Sequence, residues 1–304
     1  MYLNAASQSA LRTLQSINQN ISNATTAIST GLSINSAADA PSYWSTAMSA
    51  QSTIGANNTV IDALSLGKAQ LSTADAALSS VYDNLSEIQN LLVTAQSSGA
   101  DRATLQTQIS GIISDIQSLA DAAISNDINF LSVNSGAAGY NGTVSVVGSF
   151  STNSSGVTIS TIDIDRSDTA LIDPGGGTAA GILDQSRTEG GTTVAFTAID
   201  ISALTDSAAD LTTLGEIATI VDSVMDEVAT AQSTIGVALT RTESQVSFLE
   251  GMNSAKEAAL GELMGADVEE EAARLTALQA QQQLTVEALS IANSQSLYLL
   301  QLFR

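Results

Sequence analysis

The chain has 304 residues, with 31 Asp and Glu against nine Lys and Arg, a formal net charge of −22, and neither Cys nor His. That balance argues against nucleic acid and anionic membrane surfaces as partners, because both demand clustered cations. The missing residue types remove disulfides, Cys-ligated zinc, thiol catalysis and the Ser-His-Asp and HExxH arrangements, so no enzyme, metal or cofactor is expected.

Hydrophobic residues make up 44% of the chain but aromatic residues only 4%. Small apolar side chains suit closely packed helices better than a thick globular core. Prolines stand only at Pro41 and Pro174, so long helices go uninterrupted. The start lacks a basic region followed by an apolar run, and no stretch is apolar enough to enter a membrane. Export that reads no cleavable signal fits such a chain.

In chain order, Leu11, Leu14, Ile17, Ile21, Ala24, Ile28 and Leu32 step by three or four residues and predict a helix. Gly31 then falls in a polar connector that runs from Ser29 to Pro41. Leu64, Leu71, Leu78, Leu85 and Leu92 recur every seven residues, with Val60, Gly67, Ala74, Val81, Ile88 and Ala95 in the complementary position. This is a coiled-coil seam of about five heptads. A helix over 44–98 would run roughly 80 Å at ~1.5 Å per residue. Leu105, Ile109, Ile112, Ile116, Leu119 and Ala123 predict a shorter helix after Gly99.

Residues 131–205 hold 11 of the 21 glycines. Turn signals there separate the alternating runs Thr143–Val147, Val157–Ile164 and Thr193–Ile201, which predict short strands. Asp163, Asp165 and Asp168 lack EF-hand spacing and are expected to be a solvated strand end. Heptads return with Ile217, Val221, Val224, Val228, Ala231, Ile235 and Ala238. After Gly265 the acidic run Asp267–Glu271 opens a last helix, favourable at a helix N-terminus. Its row is Leu275, Leu278, Gln282, Thr285, Leu289, Ala292, Ser296, Leu299 and Phe303.

The charges avoid both ends. Residues 1–60 carry only Arg12 and Asp39, and residues 276–304 only Glu287 and Arg304. Surface helices carry charge on their outward faces. Helical rhythm without charge predicts ends that are covered on all sides once copies of the chain assemble. Their apolar faces find little to pack on within one subunit, so they are expected to order on assembly. The expected fold is mainly α: long antiparallel coiled-coil helices formed by both chain ends, with a small β-rich central insert at the far tip. An insert so placed would be dispensable for polymerisation.

The segment Ser29-Thr30-Gly31-Leu32-Ser33-Ile34-Asn35-Ser36-Ala37-Ala38-Asp39 resembles the N-terminal signature of bacterial flagellins, and Tyr43-Trp44-Ser45 resembles the alphaproteobacterial branch. The C-terminal stretches Arg274–Leu284, Ala288–Asn293 and Leu300–Arg304 are similar to the same branch. The resemblance covers roughly residues 5–130 and 210–304. It implies an extracellular filament subunit for swimming motility, exported unfolded through the flagellar type III apparatus. It also implies inner-tube helices over 1–43 and 265–304, a helical rod over 44–130 and 206–264, and a variable surface insert over 131–205.

The partners it implies are other copies of the chain, further flagellins, the export apparatus and a chaperone, and the filament cap and hook-junction proteins. The motif residues carried over are Ser29, Thr30, Gly31, Ile34, Asn35, Ala37, Asp39 and Trp44. The residues expected to carry polymerisation and core packing are Leu11, Leu14, Ile21, Ile28, Leu64, Leu71, Leu78, Leu85, Leu92, Val221, Val228, Ile235, Leu275, Leu289, Asn293, Leu299 and Phe303. Ser33 replaces a frequent Arg of the family. Flagellins seen by the vertebrate innate receptor carry Arg, Arg and Glu where this chain has Glu87, Gln89 and Asn90, so weak recognition is expected. A hook–filament junction protein is the alternative of the same class. A metallopeptidase insert and a type III translocator are alternatives of other classes, disfavoured by the absent His and by the lack of an apolar membrane-active segment.

Overall fold

The computed structural model describes residues 5–153, 156–175 and 181–302. Among these, five α-helices follow the chain: α1 Ala5–Thr30, α2 Pro41–Ala95, α3 Arg102–Ala122, α4 Ala208–Met264 and α5 Val268–Leu302. Between α3 and α4 lie three antiparallel hairpins. They pair β1 Ile124–Ser125 with β2 Ile128–Asn129, β3 Thr143–Asn153 with β4 Gly156–Asp165, and β5 Ser186–Glu189 with β6 Thr192–Ala195. The chain divides into two compact units, residues 1–55 with 252–304, and residues 56–251.

Local chemistry sets the helix starts. Pro41 is the first residue of α2, where a missing N–H costs nothing and its fixed φ suits the helix. Asp101 caps α3 by accepting from the Thr104 N–H at 3.1 Å and the Thr104 hydroxyl at 2.7 Å. Asp267 does the same for α5 through the N–H groups of Glu269 and Glu270 at 3.0 and 3.2 Å.

In the 56–251 unit the leucine row is buried as the heptads predict. Leu64, Leu71, Leu78, Leu85 and Leu92 are each 0% exposed, as are Val221, Val228 and Ile235 of α4. Lys68 pairs with Glu243 at 2.8 Å, and Gln232 donates to Asp75 at 3.3 Å, so α2 and α4 run antiparallel. In α3 the buried row is Ile109, Ile113, Ile116 and Ala120; Ile113 rather than Ile112 faces inward.

Gly67 is used differently from its heptad assignment. It is buried, and a Cβ built on it would lie 2.4 Å from Val146 Cγ1 of β3. The long hairpin therefore touches α2 at this position, with Val146 seated in the notch that a missing side chain leaves. Its buried face is Val144 and Val146 opposite Ile164 and Ile162. This differs from an insert at a tip, and removing residues 140–195 would uncover that notch. Gly67→Ala is expected to destabilise this unit by about 1–3 kcal/mol through overpacking. Adding Val146→Ala should recover most of the loss in thermal unfolding, whereas strictly additive losses would contradict the notch.

The expected strand Thr193–Ile201 ends early. Its partner β5 supplies only four residues, after which the chain turns through Phe196–Ala198 to bury Phe196, Ile199 and Ile201. Two acids of α4 hold this hairpin: Glu227 pairs with Arg187 at 2.5 Å, and Glu216 accepts from the Thr192 hydroxyl at 2.6 Å.

A latch closes the turn after α2. Asp206 accepts from Ser98 Oγ at 3.2 Å, the Gly99 N–H at 2.9 Å and Arg102 Nη2 at 2.8 Å. The Arg102 guanidinium, followed by the Gly99 N–H, holds the Asp206 carboxyl below its ordinary value of 3.8. The folded-state value is the lower one, so the stabilisation is complete above 3.8 and is lost as pH falls through the folded value. Asp206→Asn is expected to lower the unfolding midpoint at neutral pH and to remove part of its decline below about pH 4. An unchanged pH profile would contradict the latch.

Candidate assembly surfaces

The unit formed by residues 1–55 and 252–304 brings the signature segment and both terminal helices together. α1 ends on Gly31, whose φ of +70° lets its N–H reach back to the Ala27 carbonyl at 2.9 Å. A residue with a Cβ pays a steric cost there, which accounts for glycine at this position. Thr30 assists, its hydroxyl donating to the Thr26 carbonyl at 2.8 Å and accepting the Leu32 N–H at 3.2 Å.

Beyond Gly31 the chain crosses the α4–α5 junction as a single antiparallel bridge, Leu32 to Gly265. The Ser33 N–H donates to the Met264 carbonyl at 2.6 Å, Ser33 Oγ to the same oxygen at 3.0 Å, and the Ala266 N–H to the Gly31 carbonyl at 2.9 Å. Asn35 Nδ2 donates to the Leu32 carbonyl at 2.8 Å. Asp39 then folds the loop by accepting from the N–H groups of Asn35 and Ser36, at 3.1 and 2.9 Å, and from Ser36 Oγ at 3.0 Å. The Ser36 hydroxyl, then the Asn35 N–H, hold the Asp39 carboxyl below its ordinary value. These roles are structural: the motif ties the two chain ends together.

Trp44 is half-buried and lines an uncharged groove with Leu32, Met48, Leu260 and Met264. Ile34 is also half-buried, while Ser29, Thr30 and Ala37 are exposed.

α1 and α5 pack antiparallel around Ile17, Ala24 and Leu278, flanked by Ile21 and Leu275. Gln282 Nε2 donates to Asn18 Oδ1 at 2.6 Å in the same seam. The ends therefore find more within one subunit than their sequences promise, since each covers the other. The cover is thin. Leu11 is 38% exposed, Leu14, Ile28 and Leu289 are half-buried, and Asn293 is exposed. Leu299 lies in α5 with its side chain outside those described, and Phe303 lies outside the described residues.

The candidate residues thus fall into two sets. Leu64 to Leu92 with Val221, Val228 and Ile235 form an enclosed core, and the α1 and α5 residues form a half-covered seam. Two contributors escaped the pattern reading: Ser33 with its hold on Met264, which no periodicity signals, and Gly67 as the hairpin's seat. Among the described residues no group of three or more side chains is arranged to hold a metal, and no helix is long and apolar enough to cross a membrane.

Comparison with known proteins accounts for both ends at once. The bacterial flagellin N-terminal helical region matches residues 2–135, and the bacterial flagellin C-terminal helical region matches residues 218–303. Flagellin C of Rhizobium meliloti strain 1021 is 35% identical over 99% of this chain and 98% of its own length. A flagellin of Brucella melitensis biotype 1 is 34% identical over the same shares, and flagellin A of Rhizobium meliloti strain 1021 is 30% identical. With both helical regions matched and full-length relatives at this identity, the chain belongs to the bacterial flagellin family.

Proposed function

We propose that this chain is a structural subunit that polymerises with copies of itself into an extracellular flagellar filament for motility, and that it does no catalysis. The observation that carries this reading is the thin cover of α1 and of α5 beyond Leu275, where charged side chains are sparse. Leu284 and Ile291 of α5 are 70% and 57% exposed, in a stretch whose sole charged side chain between 275 and 303 is Glu287. A lone soluble subunit gains nothing from such a surface, whereas neighbouring copies would bury it.

In this reading residues 1–43 and 265–304 form the inner tube, 44–130 and 206–264 the rod, and 131–205 the outward surface. Leu11, Leu14, Ile21, Ile28, Leu275, Leu289, Asn293, Leu299 and Phe303 carry contacts between copies, and the leucine row of α2 holds the rod. The signature residues from Ser29 to Asp39, with Trp44, set the junction between rod and inner tube. Export proceeds through the flagellar type III apparatus with a chaperone, and the filament ends meet the cap and hook-junction proteins. Innate-receptor recognition is weak, because Glu87 and Gln89 present no cation from α2.

Purified chain added to short filament seeds tests the reading. Electron microscopy should show long tubular filaments. Seeds that stay at their starting length would leave the junction-protein alternative in its place.

A further inference from the structure

Two charged side chains stand alone on the paired stretches of the two end helices. Across residues 1–38 the only one is Arg12, and across 275–303 the only one is Glu287. Both are exposed, and neither belongs to an ion pair among the described residues.

The Asn18–Gln282 hydrogen bond sets the register of the antiparallel pair. Arg12 lies six residues before Asn18, and Glu287 five residues beyond Gln282. At ~1.5 Å per residue the two charges stand within roughly 2 Å of the same level. Their directions differ. At about 3.6 residues per turn, Arg12 lies roughly half a turn from the Ile17, Ile21 and Ala24 row, and Glu287 roughly half a turn from Leu275, Leu278 and Gln282. They project from opposite outer faces of the two-helix pair and cannot reach each other within one copy.

We infer that Arg12 of one copy pairs with Glu287 of the next, and that this contact sets the register in which copies stack. The inference rests on the reading that neighbouring copies cover α1 and α5. Covering an unpaired charge is costly, so each of these groups needs its opposite when the surface closes. The nearest supply is another copy, since each copy offers one cation and one anion at a common level on opposite faces. Such a contact is heterologous. It propagates from copy to copy, where a self-complementary patch would stop at a dimer.

The critical concentration for seeded elongation tests it, using Arg12→Glu, Glu287→Arg, the chain carrying both, and an equimolar mixture of the two single variants. Each single reversal should raise the critical concentration about tenfold or more, because like charges then meet. The double reversal should restore elongation. The mixture should restore it too, because an Arg12→Glu copy still offers its native Glu287 to the native Arg12 of a Glu287→Arg copy, and the two reversed side chains meet at the alternate contacts. Single variants that elongate like the parent would overturn the pairing. So would a mixture that fails while the double reversal succeeds, since that outcome reports a pair inside one copy. A parent chain that does not elongate seeds removes the filament reading itself, and the contact with it. Both side chains are exposed, so unfolding midpoints of the unassembled variants should match the parent.

Discussion

Leu78→Asp is expected to lower the unfolding midpoint of the 56–251 unit by roughly 10 °C or more. Leu78 is 0% exposed and sits at the centre of a row whose members Leu71 and Leu85 are equally enclosed. Losing a buried leucine costs about 2–5 kcal/mol when the cavity cannot collapse. A carboxylate placed there finds no cation: Lys68, the nearest base along α2, already pairs with Glu243 at the surface. Desolvating that charge adds to the cavity cost, for a total of about 4 kcal/mol or more. Circular dichroism melts of parent and variant decide it, and an unchanged midpoint would show that the row is not the core of the unit.

The second large effect falls on assembly rather than folding. Ending the chain after Leu275 removes Leu278 and Leu289, together with the uncharged stretch that carries Leu284 and Ile291. Ile17 and Ala24 then lose their buried partner. Burial of even two leucines on assembly contributes about 3 kcal/mol or more, a hundredfold or more in critical concentration. The truncated chain should keep the unfolding transition of the 56–251 unit and fail to elongate seeds at concentrations where the parent does. Elongation at the parental rate would place the subunit contacts elsewhere.

The long helices were legible because their signal is repetitive. Five leucines at seven-residue spacing specify one face of one helix, and each of them is enclosed. What the repeat leaves open is the identity of the element that covers each position. Gly67 occupies a heptad site yet lies under β3, because a notch accepts whichever element supplies a fitting Val146. The Asp206 latch joins residues more than a hundred positions apart through single polar contacts, and no local pattern encodes it. The β5 strand was unreadable for a related reason. Ser186–Glu189 has no apolar alternation and is held instead by Glu227 of α4 through Arg187, while Glu216 holds the turn and β6.

At the chain ends the apolar rhythm and the scarcity of charge are legible in the sequence, and the packing partners are not. Apolar rhythm marks the buried face of each end helix without naming its partner, and that partner is the other end helix. The signature segment was recognisable by resemblance, while its physical task became plain only from its geometry. Gly31, Ser33 and Asp39 fold one short connector against Met264 and Ala266.

On the proposed function, α1 and α5 form the surface through which copies join. Hydrogen exchange in monomer and filament tests it most directly. Exchange resistance scales with enclosure of the backbone, and the thin cover of these two helices places them at the low end in a lone subunit. Rapid exchange is expected over residues 5–30 and 276–294 in the monomer, slow exchange over 60–95 in both states, and a large gain in protection on assembly confined mainly to the two terminal helices. A gain concentrated in residues 143–165, with α1 and α5 exchanging alike in both states, would contradict it.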